Sequence, residues 1–158
     1  MNQSNQYPRR PTRLRHLHQG LSPFYFITFN TYDRRNILNE LFMHDVFIEF
    51  CRKGMERNVC VGKYIIMPDH VHLFVRMPMC GIRLQGWIQS LKSVLGKTLL
   101  KNNIVKPHWQ EGFFDHALRS RESYSEKWIY VQNNPVRAGL CNRAEDWPFQ
   151  GEIFPIRF

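Results

Sequence analysis

The sequence predicts an α+β fold of the split βαβ, or ferredoxin-like (βαββαβ), kind: an antiparallel sheet with helices on one face, followed by one additional C-terminal helix. Three observations carry this. Aromatic and β-branched runs alternate with amphipathic stretches in the order β-α-β-β-α-β. A chain of 158 residues has the size of a single domain. Its composition, 43% hydrophobic and 14% aromatic, supplies a core that needs neither disulfide nor metal to fold.

Residues 1–20 hold Arg9, Arg10, Arg13 and Arg15, no acid and no apolar periodicity, and read as a flexible basic arm or as a segment that orders on a phosphate backbone. Residues 21–158 form the domain proper. The run FYFITFNTY from Phe24 is dense in aromatic and β-branched residues and predicts a strand. Residues 39–57 suit a helix of imperfect period. CVGKYIIM (60–67) and VHLFVRM (71–77), separated by Pro68 and Asp69, predict a hairpin. Leu84, Ile88, Leu91, Leu95 and Leu99 fall at helical spacing within 82–101. GFFDHALR (112–119) gives a fourth strand. A last helix is expected to begin near Ser123 or Ser125 and stop before Pro135, since the residue preceding a proline disfavours the α region. The tail beyond it reads as irregular. The second sheet face is then open or covered by that last helix.

Lys and Arg number 22 against 13 Asp and Glu, a formal charge of +9, which points to a polyanion, either nucleic acid or an anionic membrane surface. No apolar run approaches the ~18 residues of a spanning helix, and the basic N-terminus lacks the apolar core of a secretory signal. Cys51, Cys60, Cys80 and Cys141 contain no CxxC pair and read as reduced, small hydrophobes. The expectation is a cytoplasmic protein.

Candidate chemistry begins at Pro68-Asp69-His70-Val71-His72-Leu73-Phe74-Val75. Residues two apart on a strand share a face, so His70 and His72 project together, opposite Val71, Leu73 and Val75. Two imidazoles on a rigid strand make a preformed pair of metal ligands; a chance pair on a solvated strand is the plain alternative. In Lys127-Trp128-Ile129-Tyr130-Val131-Gln132-Asn133-Asn134-Pro135, Tyr130 and Asn134 are i and i+4 on a helix, while Tyr124, Trp128 and Val131 form a stripe that packs inward. A boundary tyrosine with an asparagine closing the helix before Pro135 is the alternative here. His16 and His18 repeat the HxH spacing in the arm, where no strand holds them. His108 and His116 read as structural, with a place beside the metal ligands as the alternative for His116.

Taken in order, PDHVHLFV, WQEGFFDHALRS, YVQNNPVRAGL and DWPF resemble the single-tyrosine HUH transposases, nearest to the branch of bacterial REP-associated tyrosine transposases. The resemblance covers about Phe24 to Phe149. It implies that residues 21–158 are one catalytic domain, with Tyr130 as nucleophile and His70, His72 and Asn134 as ligands of Mg²⁺ or Mn²⁺. Asn133 is the rival third ligand, because many relatives carry glutamine and the shorter asparagine must reach further. The implied activity is site-specific cleavage and rejoining of single-stranded DNA bearing hairpin or palindromic elements, through a 5′-phosphotyrosine intermediate. A replication initiator or relaxase of the wider HUH group, a metal-dependent hydrolase with a merely structural Tyr130, and a non-catalytic nucleic-acid-binding module on the same fold are the rivals. Arg9, Arg10, Arg13, Arg15, Lys92 and Arg119 are the candidate DNA contacts, with Lys97, Lys101 and Arg121 as further basic positions. Phe113 and Phe114 are candidates to stack on bases, or core. Monomer and homodimer both remain open, as does whether the tyrosine completes its own site or a partner's.

Overall fold

A computed structural model describes residues 22–157; the arm, with Arg9, Arg10, Arg13 and Arg15, lies outside the described residues. The chain runs β1 (Phe24–Asn30), α1 (Leu41–Lys53), β2 (Cys60–Met67), β3 (His70–Arg76), α2 (Leu84–Lys101), β4 (Phe114–Ala117), α3 (Arg121–Gln132), a single turn α4 (Asn134–Arg137) and β5 (Gln150–Glu152). The strands form one antiparallel sheet in the order β4-β1-β3-β2-β5. Its first four members have the 4-1-3-2 arrangement of the split βαβ, as the element order predicted.

β5 was not legible in the sequence. It is three residues long and pairs with β2 where Gly151 meets Tyr64. A Cβ on Gly151 would lie 3.0 Å from the Tyr64 hydroxyl, so glycine is what lets this short edge strand close in.

Alternation divides the sheet into two faces. Val71, Leu73 and Val75 of β3 and Ile27 and Phe29 of β1 are fully or almost fully buried beneath α1 and α2. There Phe47 of α1 meets Tyr64 (4.8 Å between ring centroids), and the predicted α2 stripe of Ile88, Leu91, Leu95 and Leu99 is buried. The opposite face carries Phe26 and Phe74, 5.0 Å apart, and α3 lies on it, with Tyr124 4.8 Å and Trp128 6.2 Å from Phe74. Phe74 has no exposed surface, and removing such a ring costs about 3–5 kcal/mol. The last helix therefore covers the face that the first two leave open.

α3 starts earlier than expected, at Arg121. Ser120 is its N-cap, its hydroxyl accepting from the Ser123 N–H at 3.1 Å, which satisfies one of the free donors of the first turn. The helix stops before Pro135 as expected, although Pro135 is not what ends it. α3 closes at Gln132, Asn133 (φ −84°, ψ 0°) serves as its C-cap, and Pro135 sits in the first turn of α4, where a missing N–H costs nothing. Tyr130 and Asn134 thus lie on either side of a helix break rather than on one continuous helix. No helix among the described residues is long and apolar enough to cross a membrane.

Candidate active site

The start of β3 is pinned from the loop after β1. The Thr31 N–H donates to the Asp69 carbonyl (2.9 Å), its hydroxyl donates to the same oxygen (3.0 Å), and the Ile37 and Leu38 N–H groups donate to the Pro68 carbonyl (2.9 and 3.0 Å). From that fixed turn His70 and His72 project to the α3 side, paired across the ladder with Asn30 and Thr28 of β1, their ring centroids 4.7 Å apart.

Each imidazole is oriented through Nδ1. His72 Nδ1 meets the Thr28 hydroxyl at 2.7 Å, and His70 Nδ1 meets the Asp69 carboxylate at 2.6 Å, so Nε2 is the nitrogen each ring offers to a ligand. Phe26 stacks on His72 (5.4 Å, 19° between planes). Burial pushes the His72 pKa down to about 3, with the charges of His70, Arg34, Lys127 and Arg137 acting in the same direction. Burial also lowers that of His70, against the opposing pull of Asp69. Both rings are therefore held neutral, the form in which imidazole binds a cation. Tied Nδ1 atoms, free Nε2 atoms and neutral rings fit a divalent ion at this pair. Among the described residues no group of three or more His, Cys, Asp or Glu is placed to hold a metal, so any further ligand has to be of another kind, such as an amide or a phosphate oxygen.

Asp69 is held in turn by Arg34, whose Nε lies 2.7 Å from it and whose Nη1 donates to Asn30 Oδ1 at 2.8 Å. Asp33 and Arg34 have φ of 51° and 54°, a left-handed conformation that costs non-glycine residues on the order of 1–3 kcal/mol and is retained here beside the histidines. Thr28 and Arg34 escaped the sequence reading. A threonine on the strand that the 4-1-3-2 order places beside β3 was the signal for the first; Arg34, which acts through a strained turn, gave none.

α3 brings the tyrosine to the same face. Tyr124 contacts Phe24 (5.3 Å), while Lys127 one turn later sits 5.0 Å from the Phe26 ring that stacks on His72, so the helix advances toward the histidine end of the sheet. Tyr130 is 66% exposed. Its carbonyl accepts from Arg137 Nη1 at 3.0 Å, the Arg137 guanidinium lies 4.1 Å from its ring centroid, and Arg137 Nη2 donates to Asn134 Oδ1. Asn133 instead donates its amide to the Ile129 carbonyl (2.8 Å), directing its side chain back onto α3.

The candidate DNA contacts fare unequally. Lys92 sits on α2, on the other side of the sheet, half-buried, with its ammonium donating to the carbonyls of Gln110 (2.8 Å) and Gly112 (3.0 Å). Its two bonds fix a loop, a structural role that the count of charges concealed. Arg119 is exposed in the connection between β4 and α3. Phe113 packs against the core, whereas Phe114 is 52% exposed and pairs with Thr28, in the same cross-strand row and on the same face as His72. His116, opposite Phe26, is exposed, and His108 is buried with Nε2 2.7 Å from the Ile104 carbonyl.

A ferredoxin-like sheet with paired imidazoles on a central strand and a tyrosine-bearing helix across the same face is the layout expected of a single-tyrosine transposase. The model of the family described as IS200-like transposases matches residues 23–134, and the chain belongs to that family. It is similar to a REP-associated tyrosine transposase of Escherichia coli K12 (24% identity; 79% of this chain and 73% of the relative) and to an uncharacterised Haemophilus influenzae protein (24%; 81% and 88%). Its fold is similar to that of a REP-associated tyrosine transposase solved bound to a REP hairpin (TM-score 0.69, 23% identity; 82% of this chain and 76% of that one). A putative transposase from Deinococcus radiodurans shares the fold more loosely (TM-score 0.53, 15%; 73% and 94%). The protein is accordingly a transposase, a protein of DNA transposition.

Proposed function

We propose that the protein cleaves and rejoins single-stranded DNA at hairpin-forming elements through a covalent bond to Tyr130. The observation that carries this reading is the shared face: neutral, oriented imidazoles of His70 and His72 lie on the side of the sheet covered by the helix that bears Tyr130. When bound, Mg²⁺ or Mn²⁺ supplies Lewis-acid polarisation of the scissile phosphate, with His70, His72 and Asn134 the residues that would hold it. Asn134 Oδ1 accepts one bond from Arg137 and keeps a second lone pair for such a role.

Tyr130 Oη attacks phosphorus as the bond to the neighbouring 3′-oxygen breaks. The phenolic proton passes to solvent and the leaving oxygen takes one up, giving a 5′-phosphotyrosine and a free 3′-OH. Rejoining runs the same exchange backwards and needs no ATP, because the phosphodiester energy is retained in the covalent link. The protein's own groups contribute by placement: Thr28 and Asp69 orient the imidazoles, and packing of Tyr124 and Trp128 on Phe74 holds the helix over them. That packing supports a site completed within one chain. The hairpin carried by the solved relative supports a hairpin as the substrate class.

Cleavage of labelled single-stranded hairpins from the protein's genomic neighbourhood tests the reading. Cleavage is expected with Mg²⁺ or Mn²⁺, and none with EDTA or in His70→Ala. Equal cleavage by His70→Ala would refute the assignment of the imidazole pair.

A further inference from the structure

The helix break at Asn133 poses a mechanical problem. Tyr130 lies in the last turn of one helix, Asn134 begins the next, and an exposed phenol keeps rotamer freedom unless something holds it. One side chain spans the break. Arg137 lies seven residues after Tyr130 and three after Asn134, donates to the Tyr130 carbonyl with Nη1 and to the Asn134 amide oxygen with Nη2, and sets its guanidinium carbon over the Tyr130 ring, 4.1 Å from the centroid. Two hydrogen bonds and a ring contact are thus made by one planar fork, a combination that a lysine ammonium, a point charge on a flexible stem, does not reproduce.

We propose that Arg137 is the positioning residue of the strand-transfer site, a strap that holds the Tyr130 ring and the Asn134 amide in one fixed relation across the break. The inference rests on the proposed role of Tyr130 and extends it to a residue outside that set. An exposed cation–π contact is weak alone, but it is coupled here to two hydrogen bonds from the same rigid group. Arg137 is itself exposed and covers little of the core, so its effect is on the arrangement of the site. The buried residues near it, Val131 and Pro135, anchor the two helix ends and leave the relation between their exposed faces to the strap.

The test uses the whole protein labelled with 3-fluorotyrosine, the Tyr130 resonance being assigned by its loss in Tyr130→Phe. In Arg137→Gln and Arg137→Lys without metal or DNA, the ¹⁹F signal of residue 130 is expected to move toward that of a free tyrosine. In single-turnover reactions with hairpin DNA and Mn²⁺, both variants are expected to form the covalent adduct about 10–100-fold more slowly, as small misplacements of a reacting group do. Hairpin affinity should stay within about twofold. An unmoved resonance, an unchanged adduct rate, or full recovery of the rate by Arg137→Lys would overturn the strap. Absence of adduct in the unmodified protein would instead refute the role of Tyr130, and the two failures are read separately.

Discussion

The hydroxyl of Thr28 on β1 lies 2.7 Å from Nδ1 of His72 on β3, and the antiparallel register of the two central strands sets them opposite one another. This bond fixes which way the His72 ring faces and leaves Nε2 as the nitrogen available to the proposed metal ion. Thr28→Val keeps the β-branched shape and removes only the oxygen. Partners of this kind typically govern 10–100-fold in metal affinity, so Mn²⁺ binding followed by calorimetry or electron paramagnetic resonance is expected to weaken by about that factor, with the fold intact by circular dichroism. Unchanged affinity would mean that His72 does not contribute to binding in this orientation.

Stability should also respond to pH in a defined direction. His72 sits at about 3 in the folded protein and has an ordinary value of 6.5, so between these limits the unfolded chain binds the extra proton. The contribution of its neutral burial is complete above about pH 6.5 and is lost as pH falls toward 3, at up to about 1.4 kcal/mol per pH unit for this one group. His70 and His44, both lowered chiefly by burial, add in the same sense. Urea unfolding in EDTA at about pH 7, 6 and 5 should show this decline, and His72→Gln should reduce its slope. A flat profile would contradict the burial of an uncharged His72.

Phe114 offers a test of the DNA surface. Its ring is 52% exposed on the histidine face, so truncation removes little core packing. Base stacking on such a ring contributes about 1–3 kcal/mol. Phe114→Ala is expected to weaken binding of hairpins with single-stranded flanks by about 10–100-fold while leaving a flankless stem unaffected and the melting temperature within a few degrees. Equal loss for both DNAs would place Phe114 elsewhere in the interface.

Lys92 should behave as a structural residue. Lys92→Met removes the donors that hold the carbonyls of Gln110 and Gly112, and Gln110 in turn accepts from the Asn30 amide at 3.2 Å. A loss of about 1–3 kcal/mol in unfolding free energy is expected, with no change in the salt dependence of DNA binding. A shallower salt slope would restore Lys92 as a phosphate contact.

These cases show what kind of information the sequence held. Period-2 alternation put His70 and His72 on one face, and the element order placed β1 beside β3, because both follow from local patterns and from the few ways a sheet can be connected. Ser120 as a cap, three residues before Ser123, was a local signal as well, but the helix start was read at Ser123 or Ser125 instead. Arg137, Arg34 and Lys92 are different. Each is one basic residue among 22, and its role depends on what its long side chain reaches: a helix end three to seven residues away, a carboxylate 35 residues on, or a loop 18 to 20 residues on. β5 escaped for a related reason, since three residues including a glycine carry no strand pattern and pair only because Tyr64 leaves room for Gly151.

The most direct measurement is mass spectrometry of tryptic peptides after incubation of the protein with Mn²⁺ and a neighbouring genomic hairpin, nuclease-trimmed to its last nucleotide. The expected result is one modified peptide carrying a 5′-nucleotide phosphate on Tyr130, absent in Tyr130→Phe although that variant still binds the hairpin. Cleaved DNA with no nucleotide on Tyr130, or an adduct that persists in Tyr130→Phe, would contradict the assignment of Tyr130 as the nucleophile.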